Sequence, residues 1–267
     1  MFFDVWLAGQ SLWNTPLLAV LFGLNCLYLF FMKQSLKIKI YHKQPLLFIC
    51  GLILFYFMIG SPFASISHLS FSLHMFQMSL LFFITPPLLL LGIPAQLWQP
   101  VWNLSILKKI PPCTSLYTFA VLFLMYHVPA ILTFLSQNPY YHQSYFLILM
   151  LLAFGMWFPI TATGKFTKTE KNRYAYLSGM VLMPACLLFI ISALLGGMNN
   201  PFLSEITANL CMGSAAMHSG LILPFPFNTK WDQLLAGILM LLIHKIGLLL
   251  TSRYGDNVQI RNLEKNA

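Results

Sequence analysis

Seven apolar runs organise this chain, at roughly 14–32, 46–62, 71–93, 115–136, 143–163, 174–197 and 231–251, with short polar stretches between most of them. Each approaches the ~20 mostly apolar residues that a helix needs to cross a bilayer core. The pattern predicts an all-α polytopic membrane protein, a bundle of seven transmembrane helices, with residues 1–267 forming a single integral membrane domain. One connection breaks the rhythm. The stretch from Gly197 to Lys230 is moderately apolar and too long for a turn, and loops of that length in compact domains commonly carry function or a helix of their own. A short surface helix is expected near 203–220, bounded by Gly196-Gly197 before it and by Pro224 and Pro226 after it. Within the third run, Pro86 and Pro87 fall in mid-membrane, where each removes a helical hydrogen bond, kinks the helix and leaves carbonyls for neighbours to satisfy.

The charges orient the runs. Lys33, Lys37, Lys39 and Lys43 follow the first run, Lys108 and Lys109 the third, and Lys165, Lys168, Lys171 and Arg173 the fifth; Lys245, Arg253, Arg261 and Lys265 close the seventh and the tail. Lys230 alone falls on the other side. Lys and Arg near span ends hold connections in the cytoplasm, so the N-terminus is expected outside and the C-terminus inside. Trp6, Trp13, Trp98, Trp102, Tyr140, Tyr141 and Trp231 sit near the expected interfaces, as aromatic anchors do.

Composition narrows the class further. With 58% hydrophobic and 8% charged residues and a mean hydropathy of +0.76, no length remains for a separate soluble domain. The net charge of +9 is spread over the connections, which fits topology and anionic lipid headgroups rather than nucleic acid. The opening MFFDVWLAGQSLWN has no basic residue, so a retained first helix is expected rather than a cleaved signal peptide. Cys26, Cys50, Cys113, Cys186 and Cys211 form no CxxC pair, and no disulfide framework is expected.

Candidate chemistry lies with the histidines, since intramembrane polar groups are expensive and mark function. By the charge topology, His68, His74, His127, His142 and His218 all fall on the outer side, among Met58, Met75, Met78, Met125, Met198, Met212 and Met217. Imidazole with thioether suits Cu(I). His74, Gln77 and Met78 share a helical face, as would Cys211, Ser214 and His218 in a helix over 205–219. The plainer alternative stays open: intramembrane His as interhelical hydrogen-bonding group, Met as gap-filler. His42 reads as a loop residue and His244 as packing. Asp232, in the first turn of its helix, suits the helix dipole; the alternative is that it orients a ligating His.

The stretch SPFASISHLSFSLHMFQMSLLFFITPPLLLLGIP, Ser61 to Pro94, resembles the signature of the CtaG family, the caa(3)-type cytochrome c oxidase assembly factors. That signature runs SP, HM followed by Q and then H or M, PPLLL and G-x-P. AGQSLWNTP, MYHVPAIL around His127, YYHQSYFLILMLLAFGMWFPI from Tyr140 and WDQLLAGILM from Trp231 are similar too, so the resemblance extends over nearly the whole chain. It implies a seven-span, non-enzymatic assembly factor for a haem–copper cytochrome c oxidase in a bacterial plasma membrane, with oxidase subunits and the lipid bilayer as partners. Cu(I) presentation at the outer face is the mechanism expected, with His74 and Met78 as primary ligands, completed by His127 and His142 and more remotely by His218. Two departures bear on this. Many relatives carry a second His where this chain has Met78, and another where it has Phe146; Met78 remains a Cu(I) ligand, whereas Phe146 cannot be one. A metal-free scaffold chaperone and a haem protein with axial His74 and His127 are the alternatives. A small transporter is disfavoured by the lack of an inverted repeat and of midplane charges.

Overall fold

The structure is a computed structural model that describes residues 13–35, 42–94, 96, 111–162, 166–196 and 230–263. Among them helices dominate and no strand occurs. They are α1 (Thr15–Ser35), α2 (Lys43–Gly60), the short α3 (Phe63–Ile66) with a 3-10 turn Ser67–Leu69, α4 (Phe71–Ser79), a π-helical turn Leu80–Ile84, α5 (Thr85–Gly92), α6 (Pro112–Tyr126), α7 (Pro129–Gln137), α8 (Pro139–Thr161), α9 (Lys168–Leu194) and α10 (Lys230–Leu263). The expected helix at 203–220 and His218 lie outside the described residues.

Six of these stretches are long and apolar enough to cross a membrane: α1, α2, the continuous Phe71–Gly92, α8, α9 and α10. The fourth apolar run, expected as one span over 115–136, instead forms α6 and α7, bent by 81°. The cause is local. Pro129 disfavours helical backbone at the residue before it; Val128 is extended at ψ 127°, and Pro129 then opens a new helix from its first turn. Counted as one broken span, the pair brings the total to seven.

The burial pattern is that of a protein solvated by hydrocarbon. Phe82, Phe83, Phe119, Phe123, Met75, Trp157 and Phe189 fill the interior, while Phe22 and Leu27 on α1 are 67% and 72% exposed. Apolar surface this extensive is unsustainable in water and ordinary against lipid. Helix α1 is held to the bundle by α2 and by the Tyr28 hydroxyl, which donates to the Gly92 carbonyl at 2.6 Å. At the start of α9, Thr167 and Glu170 form a reciprocal capping box that fixes where the helix begins.

The third span shows how the prolines are accommodated. Pro86 has no N–H for the Phe82 carbonyl in α-helical register, and Pro87 has none in π register, so that oxygen has no partner within its own helix. Trp157 of α8 supplies one, its indole N–H donating at 2.8 Å. The neighbouring Phe83 carbonyl faces Gly247 of α10, where a Cβ would stand 2.6 Å from the oxygen; only glycine admits that approach. The kink read from the sequence is therefore a joint between three spans.

Trp157→Phe keeps the ring but orphans the Phe82 carbonyl, and should lower unfolding stability by about 1–3 kcal/mol. Thermal unfolding of the detergent-purified protein reads this, beside Trp231→Phe at a position 76% exposed, which should change little. Equal melting temperatures for the two variants would remove the joint from the account.

Candidate functional site at the basic-poor end of the bundle

The chain brings four histidines together where α4, α6, α8 and the 3-10 turn meet, at the end of the bundle away from the basic connections. His74 and Met75 come from the first turns of α4. Tyr126 ends α6, and His127 follows it in the break before α7. His142 stands at the start of α8, and His68 in the 3-10 turn. Pro139 opens α8 from a first-turn position, so the helix starts at this end with His142 one turn in.

Tyr126 is the hub. Its hydroxyl lies 2.9 Å from His74 Nε2 and 3.1 Å from His142 Nε2. A phenol has one proton to donate, so it donates to one imidazole and accepts from the other; the two rings hold complementary tautomers. The His68 ring lies 5.1 Å from that of His74 and 6.4 Å from that of His142. His68 sits in the connection, and burial, with the His142 imidazole acting in the same direction, pushes its pKa down to about 4. It is neutral at physiological pH.

His127 is fully buried and turns elsewhere. Its Nδ1 hydrogen-bonds the Phe123 carbonyl one turn back, and its Nε2 points at Met75 Sδ, 3.3 Å away. Rings of Phe123, Tyr126 and Phe189 pack around it.

Two polar ties position these groups. Asp232, at the start of α10, accepts from the Ser70 hydroxyl at 2.6 Å, the Phe71 amide at 2.8 Å, the Ser72 amide at 3.1 Å and the Ser72 hydroxyl. It thus caps α4, which carries His74, and not only its own helix. Gln77 receives the Ser67 hydroxyl at 2.7 Å and donates to the Met58 carbonyl at 2.6 Å, which holds the turn bearing His68 against α4 and α2.

Of the residues expected from the sequence, His74, His127 and His142 come together here. Met78 is buried in the hydrophobic core, and Phe146 packs on Phe82 with ring centroids 5.3 Å apart. His244 is packed between Phe83 and Trp157 and lies 3.4 Å from the Ser178 hydroxyl, in keeping with a packing role. His74 and His127, the pair a haem would need, direct Nε2 to different partners, Tyr126 and Met75. Among the described residues no three His, Cys, Asp or Glu side chains converge on a common metal position. What the site offers is neutral imidazole paired with thioether, a donor set that fits a soft, low-coordinate ion. Sequence reasoning missed Tyr126 as the bridge and Met75 as the facing thioether. The adjacency of a buried Tyr and His was the available signal.

The model of the cytochrome c oxidase caa3 assembly factor family matches residues 26–252. The chain belongs to that family. The match spans every element of the site, from His68 to Asp232. No curated protein and no solved structure matches the chain.

If Asp232 anchors α4, Asp232→Ala should speed hydrogen exchange at the Phe71–Leu73 amides and lower stability by about 2 kcal/mol or more. Wild-type exchange at those amides would limit Asp232 to its own helix.

Proposed function

We propose that this caa3 assembly factor matures a haem–copper cytochrome c oxidase in a bacterial plasma membrane by presenting Cu(I) to an oxidase subunit. Its N-terminus is outside, and the His68–His74–His142–His127 cluster lies at the outer face. The observation that carries this reading is the convergence of those imidazoles with Met75 at the basic-poor end. There His74, Met75 and His127 are almost wholly buried, at 3%, 0% and 0% exposure. Polar side chains concentrated within a membrane domain need a function to offset their burial. Neutral nitrogen and thioether donors match Cu(I) better than harder divalent ions. Copper is cargo here, held at the surface where a client can collect it; the chain performs no bond-making step. The rings of Phe82, Phe119, Phe123 and Phe146 form an apolar floor beneath the cluster. Such a floor blocks passage toward the opposite face, which suits presentation rather than transport.

Cells lacking the chain should assemble an oxidase depleted of copper, and His74→Ala or His142→Ala should lower oxidase copper several-fold with the factor itself present at normal amounts. Metal analysis of the purified oxidase decides the matter. A copper-replete oxidase in the absence of the chain would overturn the proposal, while normal copper in both histidine variants would favour a metal-free scaffold.

A further inference from the structure

The pair His127–Met75 differs from the rest of the cluster in one respect. His68, His74 and His142 gather around a hydroxyl or one another, groups that can exchange protons. His127 has no such arrangement at Nε2. In its neutral form the ring carries one N–H, and the Phe123 carbonyl can only accept, so the proton resides on Nδ1. Nε2 then presents a lone pair to Met75 Sδ, itself an acceptor without a proton, at 3.3 Å. Two electron-pair donors face each other in a fully buried position with no hydrogen between them.

We propose that His127 Nε2 and Met75 Sδ form a binding site for a single Cu(I) ion, a proposal that rests on the copper reading above and names its ligands. Three features support it. The hydrogen bond from Nδ1 to a backbone carbonyl fixes tautomer and ring orientation, as partners of metal-bound imidazoles do. Both donors are neutral and the surroundings are aromatic, so a monovalent ion is far less costly to bury here than a divalent one. The unbranched Met75 side chain has three rotatable bonds, so the sulfur can yield to an incoming ion without movement of α4. The two ligands come from different helices, α4 and the end of α6. Binding therefore also clamps the break between α6 and α7 onto the span that carries His74.

The test is an anaerobic Cu(I) titration of the detergent-purified full chain against a competing chelator, with X-ray absorption at the copper edge. Wild type is compared with Met75→Leu, which keeps volume and apolarity, with His127→Gln, and with Met78→Leu. Circular dichroism and gel filtration establish that each variant is folded. The expected result is a tenfold or greater loss of affinity and of the sulfur scatterer in Met75→Leu, a similar loss of affinity in His127→Gln, and wild-type behaviour in Met78→Leu. Copper bound by wild type with unchanged affinity and sulfur signal in Met75→Leu would overturn this site and leave the copper reading standing. No copper bound by wild type would overturn both.

Discussion

The carbonyl of Phe82 is the constraint on which the arrangement depends. A backbone oxygen deep in a bilayer has no water to turn to, and Pro86 and Pro87 deny it a partner within its own helix. The response comes from two other spans, through Trp157 on α8 and the close approach of Gly247 on α10 beside the Phe83 carbonyl. Those contacts fix the depth of both helices against the third span. His142 lies fifteen residues before Trp157, and Asp232 fifteen before Gly247. At the helical rise of 1.5 Å per residue each is carried about 22 Å along the bundle, to the same end. The kink in mid-membrane thus sets the register that delivers an imidazole and a carboxylate to one level, where α4 begins.

At that level short-range polar contacts take over. The Asp232 carboxylate gathers donors at the start of α4, and Gln77 ties the 3-10 turn to α2 through the Met58 carbonyl. Both interactions serve the backbone: they hold helix starts and turns, and the imidazoles follow from where those elements stand. Tyr126 differs, because its hydroxyl touches two imidazoles from two different helices. A single donor between two nitrogen acceptors couples their tautomers, so a change at His74 is felt at His142 without any backbone movement.

Much of this was legible in the sequence. Apolar runs of bilayer length gave the spans within a few residues, and the paired prolines placed the kink. The break at Val128-Pro129 was also written there, but within a continuous apolar run its effect on the preceding residue was outweighed by hydrophobicity. The site was legible by residue type and by end of the bundle, not by pairing. Helical spacing correctly puts Met78 on the face of His74, yet a shared face says nothing of which neighbouring helix it meets; the thioether that meets an imidazole is Met75, one residue after His74. Asp232 was read through its own helix dipole, because sequence-local rules cannot reveal that Ser70 and Ser72, some 160 positions earlier, lie against it.

The substitution at Phe146 now has a physical reading. An imidazole there would stand where the phenyl ring packs on Phe82, the residue whose carbonyl anchors the kink. A polar ring at that depth would need a partner of its own in surroundings made of Phe82, Phe119 and Phe123. With phenylalanine in its place the floor of the cluster is dry, and every donor above it is neutral apart from the Asp232 carboxylate, whose oxygens are occupied in capping α4. Dryness and neutrality act together. They exclude ions that demand anionic ligands or retained water, and they leave a soft monovalent ion as the species for which burial is least opposed.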